Sequence, residues 1–396
     1  MLKTKLFLLL LAGALFIAGC SDSPSPIGVD ELGNDLLKVR VLDSQQDTLP
    51  QTSVSFRRVS PLGTAASVLL GNAVGVKSEV LLQFNLNFDE TTQNALKKDS
   101  IVLTSARIVL KKIYGIGDTL QSFPVAMVNG YKITSSWDPL KVKADSLPQI
   151  DLSADILSAK PAPDSLYYFN VRNDIALQWM KNSYDTVAYM NNGLMLRAES
   201  ATPYLIGFQG FSATGENAPK IELNFRYLAT NKDTTISFRT LSDAHVITGA
   251  KPSLQNDEIM VQSGTAIESR IYFDLAKLPA NVFINNAELI LSADTTKQKI
   301  GNSALNGLLV SIFDELTNDS TFSVNSLYTT NLYYSSGKYS GNLTTVMRQV
   351  YLSKKNYGFL ISTSNPVEGL ETIILKNSNA SAALKPKLII TYTKLD

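Results

Sequence analysis

The sequence predicts an all-β protein built of two tandem antiparallel β-sandwiches, each with one short helix. Three observations predict it. Short runs of alternating apolar and polar residues, rich in Val, Ile, Thr, Tyr and Phe, are separated by Gly, Asn, Asp and Pro. Distinctive local patterns recur in the same order in the two halves. One short stretch of helical periodicity stands at the same place in each half. With 396 residues, 44 % of them apolar and 18 % charged, the chain is long enough for two domains that each bury a core.

The first element is a signal. Lys3 and Lys5 precede an apolar run from Leu6 to Ile17, long enough for a signal-peptide core and short for a spanning helix. Ile17-Ala18-Gly19-Cys20 closes that run with small residues before the chain's single cysteine, and resembles the lipobox of bacterial lipoproteins. The resemblance implies cleavage after residue 19 and lipid on Cys20, so that the membrane is a partner through that lipid. Two or more acyl chains hold a protein stably where one is marginal. Ser21, with no Asp at that position, favours the outer membrane. A lone cysteine forms no internal disulfide and leaves no Cys-based zinc site or redox pair in the body. Residues 20–35, with Pro24, Pro26 and Gly28 and no periodicity, read as the lipidated terminus and tether.

The body then repeats itself, residues 36–229 as the first sandwich and 230–396 as the second. Gly75 followed by Phe84-Asn85-Leu86 matches Gly264 followed by Phe273-Asp274-Leu275, and Ser105 to Leu110 matches Asn286 to Leu291. Asn192-Gly193-Leu194 matches Tyr357-Gly358-Phe359, and Pro219-Lys220-Ile221 matches Pro386-Lys387-Leu388. The helical stretches are Asp174 to Lys181 and Leu343 to Tyr351. The polar run Ala229 to Asp233 marks the boundary.

The succession Leu81 to Leu86, Ala106 to Leu110, Ser135 to Asp138, Phe169 to Trp179, Gly193 to Leu196 and Pro219 to Phe225 resembles the DNRLRE domain family. Copy two keeps Ile271 to Leu275, Ala287 to Leu291, Gly358 to Ile361 and Pro386 to Tyr392, and lacks both tryptophans. The resemblance implies jelly-roll β-sandwiches of the extracellular, carbohydrate-binding-module kind. It bears on fold more than on ligand.

Chemistry is sparse. The single histidine, His245, has no serine in a strand-to-helix elbow nearby and reads as a locally hydrogen-bonded residue at a strand edge. The adjacent carboxylates Asp257 with Glu258 and Asp314 with Glu315 would point to opposite faces of a strand. A polysaccharide-acting hydrolase, or an accessory to one, using a carboxylate pair drawn from different loops is the alternative reading. No cofactor is expected; structural calcium in a loop such as Asp314 to Asp319 is the one ion the sequence leaves room for. A formal net charge of +1 gives no basic footprint for nucleic acid. For glycan contact the candidates are Trp137, in the turn Ser135 to Asp138, and Tyr333, Tyr334 and Tyr339 in a Gly- and Ser-rich loop. Trp179 lies on the apolar stripe of its helix and reads as core. The expectation is a non-catalytic, lipid-anchored envelope protein with a structural, adhesive or glycan-binding role, whose partners are polysaccharide or envelope proteins.

Overall fold

The computed structural model describes residues 39–57, 62–63, 65–117, 128–159, 166–199, 204–249, 253–301, 307–318, 321–364 and 369–395. Cys20, with the expected signal and tether, lies outside the described residues. In chain order the elements begin with β1 (Val39–Asp43), β2 (Gln51–Arg57), β3 (Ser67–Ala73), β4 (Val76–Phe84) and α1 (Glu90–Lys97). Next come β5 (Ile101–Gly117), β6 (Val128–Ile133), β7 (Ile150–Asp151), β8 (Leu157–Ala159), β9 (Leu166–Val171) and α2 (Asn173–Lys181). Then follow β10 (Leu194–Ala198), β11 (Tyr204–Gln209), β12 (Lys220–Tyr227), β13 (Lys232–Gly249), β14 (Glu258–Gln262) and β15 (Ile267–Phe273). The chain ends with β16 (Val282–Ser292), β17 (Leu308–Asn318), β18 (Thr321–Ser335), β19 (Lys338–Asn342), α3 (Thr344–Ser353), β20 (Phe359–Thr363), β21 (Thr372–Lys376) and β22 (Lys387–Lys394).

Among the described residues all the strand pairings are antiparallel, and they form two sandwiches. In sandwich one, the layer β13-β12-β5-β9-β8 faces the layer β5-β11-β3-β4-β10-β6-β7, and the long β5 serves both. In sandwich two, β1-β22-β16-β19-β18 faces β18-β17-β20-β15-β14-β21, and β18 serves both. Strands with one face open to solvent show the expected alternation: Ile221, Leu223 and Phe225 on β12, and Leu388, Ile390 and Tyr392 on β22, are buried between half-exposed neighbours. Central strands are buried on both faces. On β3, Val68 and Leu70 enter the core of sandwich one, while Leu69 packs outward with Tyr114, Ile116, Leu205 and Leu370, the last from sandwich two.

Strand pairing divides the chain elsewhere than at 229/230. Tyr227 of β12 pairs with Lys232 of β13, closing a hairpin in which Asn231 adopts a φ of 52°. That hairpin keeps β13 on sandwich one, where its first half pairs with β12 and its second half, Thr240 to Gly249, runs along β4. Sandwich two is thereby left without a leading strand of its own. Residues 39–57 fill the gap: β1 pairs with β22 and β2 pairs with β15. Leu42 and Leu49 enter the core of sandwich two, and Lys387 bonds the buried Asp43 carboxylate at 2.8 Å. The chain therefore crosses between sandwiches twice, once between Arg57 and Ser67 and once between Gly249 and Glu258.

The two sandwiches correspond down to single atoms. Gly193 (φ 84°) and Gly358 (φ 89°) occupy the left-handed region, and a Cβ on either would strike the carbonyl of the paired strand, Leu82 or Ile271. Asn191 Nδ2 donates to Phe84 O at 2.9 Å, and Asn356 Nδ2 donates to Phe273 O at 2.8 Å. Asn-x-Gly is thus one local device used twice. The helices depart from one per copy: α2 and α3 lie at the expected places, but α1 is an addition to copy one, capped by Asp89, whose carboxylate accepts from Thr92 N at 2.8 Å.

Candidate functional site

The four aromatics singled out in the sequence do not form one site. Trp137 lies in sandwich one on the loop after β6, partly buried against Leu81, Val142, Met195 and Val246, and its Nε1 donates to Asn192 O at 2.9 Å. Tyr333, Tyr334 and Tyr339 lie in sandwich two on the β18-β19 hairpin. As neighbours on a strand, Tyr333 and Tyr334 face opposite ways, and both are open to solvent, at 60 % and 47 %. Tyr339, directly across from Tyr334, is only 3 % exposed and belongs to the core, with the two rings 5.2 Å apart. Trp179 is fully buried in the core of sandwich one.

The carboxylates form an ion-pair lock. Lys376 Nζ lies 2.9 Å from Asp257 and 3.3 Å from Glu258, and Lys297 Nζ lies 2.6 Å from Glu258. The Lys376 hydrogen bond holds Asp257 below the usual carboxylate range. Burial works to raise Glu258, but its bonds from Lys297, Gln255 N and Lys376 outweigh that and hold it low. Both groups stay ionised at neutral pH, whereas glycoside hydrolysis needs one carboxyl raised to serve as acid. Asp314 lies on β17 rather than in a loop and accepts from Asn325 Nδ2 at 2.8 Å. Among the described residues no group of three or more His, Cys, Asp or Glu side chains is placed to hold a metal ion, and no helix is long and apolar enough to cross a membrane.

Where the chain crosses between sandwiches there is a cavity of about 190 Å³. Arg57 lines it from the end of β2, Leu62 from the first crossing, Val142 to Asp145 from the loop after β6, His245 to Ile247 from β13, and Gly264 to Ala266 from the β14-β15 turn. His245 stands on an edge strand, as expected, since this half of β13 pairs with β4 alone, but it is not locally bonded. It pairs with Val80 on β4, is 1 % exposed, and neither ring nitrogen has a hydrogen-bond partner. Burial pushes its pKa down to about 3, so the ring is neutral at physiological pH. Two residues earlier, Asp243 Oδ2 accepts from Phe211 N at 2.6 Å while Oδ1 has no partner, and burial lifts this carboxyl to about 7.

The cavity was invisible to local sequence reading, because its walls come from five separated segments. One signal was available in the correspondence of the two sandwiches: Asp243-Ala244-His245 occupies the place in its leading strand that Ser53-Val54-Ser55 occupies in the other. Comparison with family models, with curated proteins and with solved structures finds no match.

Proposed function

We propose that this is a lipid-anchored protein of the cell envelope, held at the outer membrane through Cys20, with a non-catalytic structural and adhesive role. One observation supports the reading above others. The chain that leaves the tether enters the body at β1 and β2, which close sandwich two, before it builds sandwich one. A pull from the anchor is then carried by ladder hydrogen bonds and by the core residues Leu42 and Leu49. Glycan contact is the sharper variant, and Tyr333 and Tyr334 supply its exposed aromatic surface, on opposite sides of one hairpin.

Fractionation tests the anchor: Cys20→Ala should move the protein from the membrane to the soluble fraction, and unchanged membrane association would refute it. A glycan array probed with the fragment from Ser21 onward tests the variant. Binding that Tyr333→Ala weakens is expected, and silence across envelope and plant polysaccharides would remove glycan contact from the account.

A further inference from the structure

We propose that the cavity at the crossing binds a small amphipathic monoanion bearing a hydroxyl, with the hydroxyl on His245 and the anion at Arg57 and Lys143. The internal duplicate serves as the control. Gly193 and Gly358 fix the correspondence of the two sandwiches, and through it His245 on β13 occupies the position of Ser55 on β2.

In sandwich two that position is satisfied within the protein. Ser55 Oγ lies 2.9 Å from Ser269 Oγ and accepts from Met260 N at 2.8 Å, while Ser269 Oγ donates to Met260 O at 2.8 Å. In sandwich one the partner across the ladder is Val80, and the imidazole is left with a donor and an acceptor unused beside a cavity. The fold thus has no need of a histidine here, and burying one without partners is costly.

The ligand's chemistry follows from the walls. Leu62, Val142, Val246 and Ala266 are buried and apolar. An apolar cavity of about 150 Å³ admits benzene, so the space suits one ring or a chain of similar bulk. A neutral imidazole offers one N–H and one lone pair, which a hydroxyl can meet in either sense. Arg57 and Lys143 outnumber Asp145 among the charged lining residues, which selects a single negative charge. Because both sandwiches contribute walls, the ligand would bind only the assembled junction and stabilise it.

The chain has one histidine, so nitrogen-labelled histidine reports on His245 alone. Titration with para-hydroxybenzoate, with phenol for comparison, should shift the ring resonances saturably and raise the melting temperature. Arg57→Ala should weaken binding about tenfold. His245→Ser, which installs the duplicate's residue, should fold with undiminished stability and lose the thermal response. Ring resonances that do not move at millimolar para-hydroxybenzoate would overturn the proposal, as would a full thermal response in His245→Ser. Phenol binding as tightly as para-hydroxybenzoate would overturn its anionic half. None of these readouts depends on Cys20 or on membrane attachment.

Discussion

Asp243 and His245 sit two residues apart on one face of β13, and burial shifts them in opposite directions. Asp243, near 7 when folded against 3.8 when free, keeps a proton that the unfolded chain has released, so its contribution to stability falls as pH rises between those values. His245, near 3 against 6.5, refuses a proton that the unfolded chain accepts, so its contribution falls as pH drops through that window. The two slopes oppose each other over most of the same range. Asp243→Asn keeps the bond from Phe211 N and removes one slope. Its melting temperature should exceed the parent's at about pH 8, where the parent buries an ionised carboxylate, and should fall more steeply below about pH 6. Parallel melting profiles for the two proteins would contradict this. At the residue scale the sequence showed which side chains are rare, but not what surrounds them. Nothing local to Tyr339 distinguishes its buried ring from the open one of Tyr334, and His245 became legible only against Ser55.

The strands were the most legible elements, because a two-residue alternation such as Ile221, Leu223, Phe225 is a local property. The two Asn-x-Gly entries to β10 and β20 were legible as recurring Asn192-Gly193 and Tyr357-Gly358 patterns. Helix α1 escaped because its signal is a cap at Asp89 and a short polar run, with Leu96 its one large buried apolar side chain. Membership of a strand in a sandwich was less legible still, since β1 and β22 lie at opposite ends of the chain. Leu49, 3 % exposed between β1 and β2, packs in the core of sandwich two and not in that of the strands that follow it. Leu49→Ala should therefore cost about 2–5 kcal/mol. Hydrogen exchange should report the loss first in the amides of β15 and β22, with those of β4 and β12 still protected. Earlier loss in β4 and β12 would contradict the pairing.

At the scale of the whole molecule, two like sandwiches stand in series and the β12-β13 hairpin ties the second leader to the first sandwich. Closure of the second sandwich by the start of the chain follows from that tie. The arrangement joins the sandwiches by two crossings, by the apolar patch around Leu69 and Leu370, and by Leu370 N, which donates to Tyr114 Oη at 3.0 Å. Burial and the neighbouring Glu371 carboxylate push the Tyr114 hydroxyl far above its ordinary range, so it stays protonated at the junction. The interlocked body and the crossing cavity both depend on where residues 39–57 lie. Cysteine trapping in a Cys20→Ser protein tests that placement most directly. Val41 pairs with Thr391 on β22, and the corresponding residue of sandwich one is Asn224 on β12. Directly paired residues lie within the Cα separation a disulfide needs. Val41→Cys with Thr391→Cys should give an intramolecular disulfide by mass spectrometry, and Val41→Cys with Asn224→Cys should give none. The reverse outcome would place the first strands on sandwich one and contradict the account.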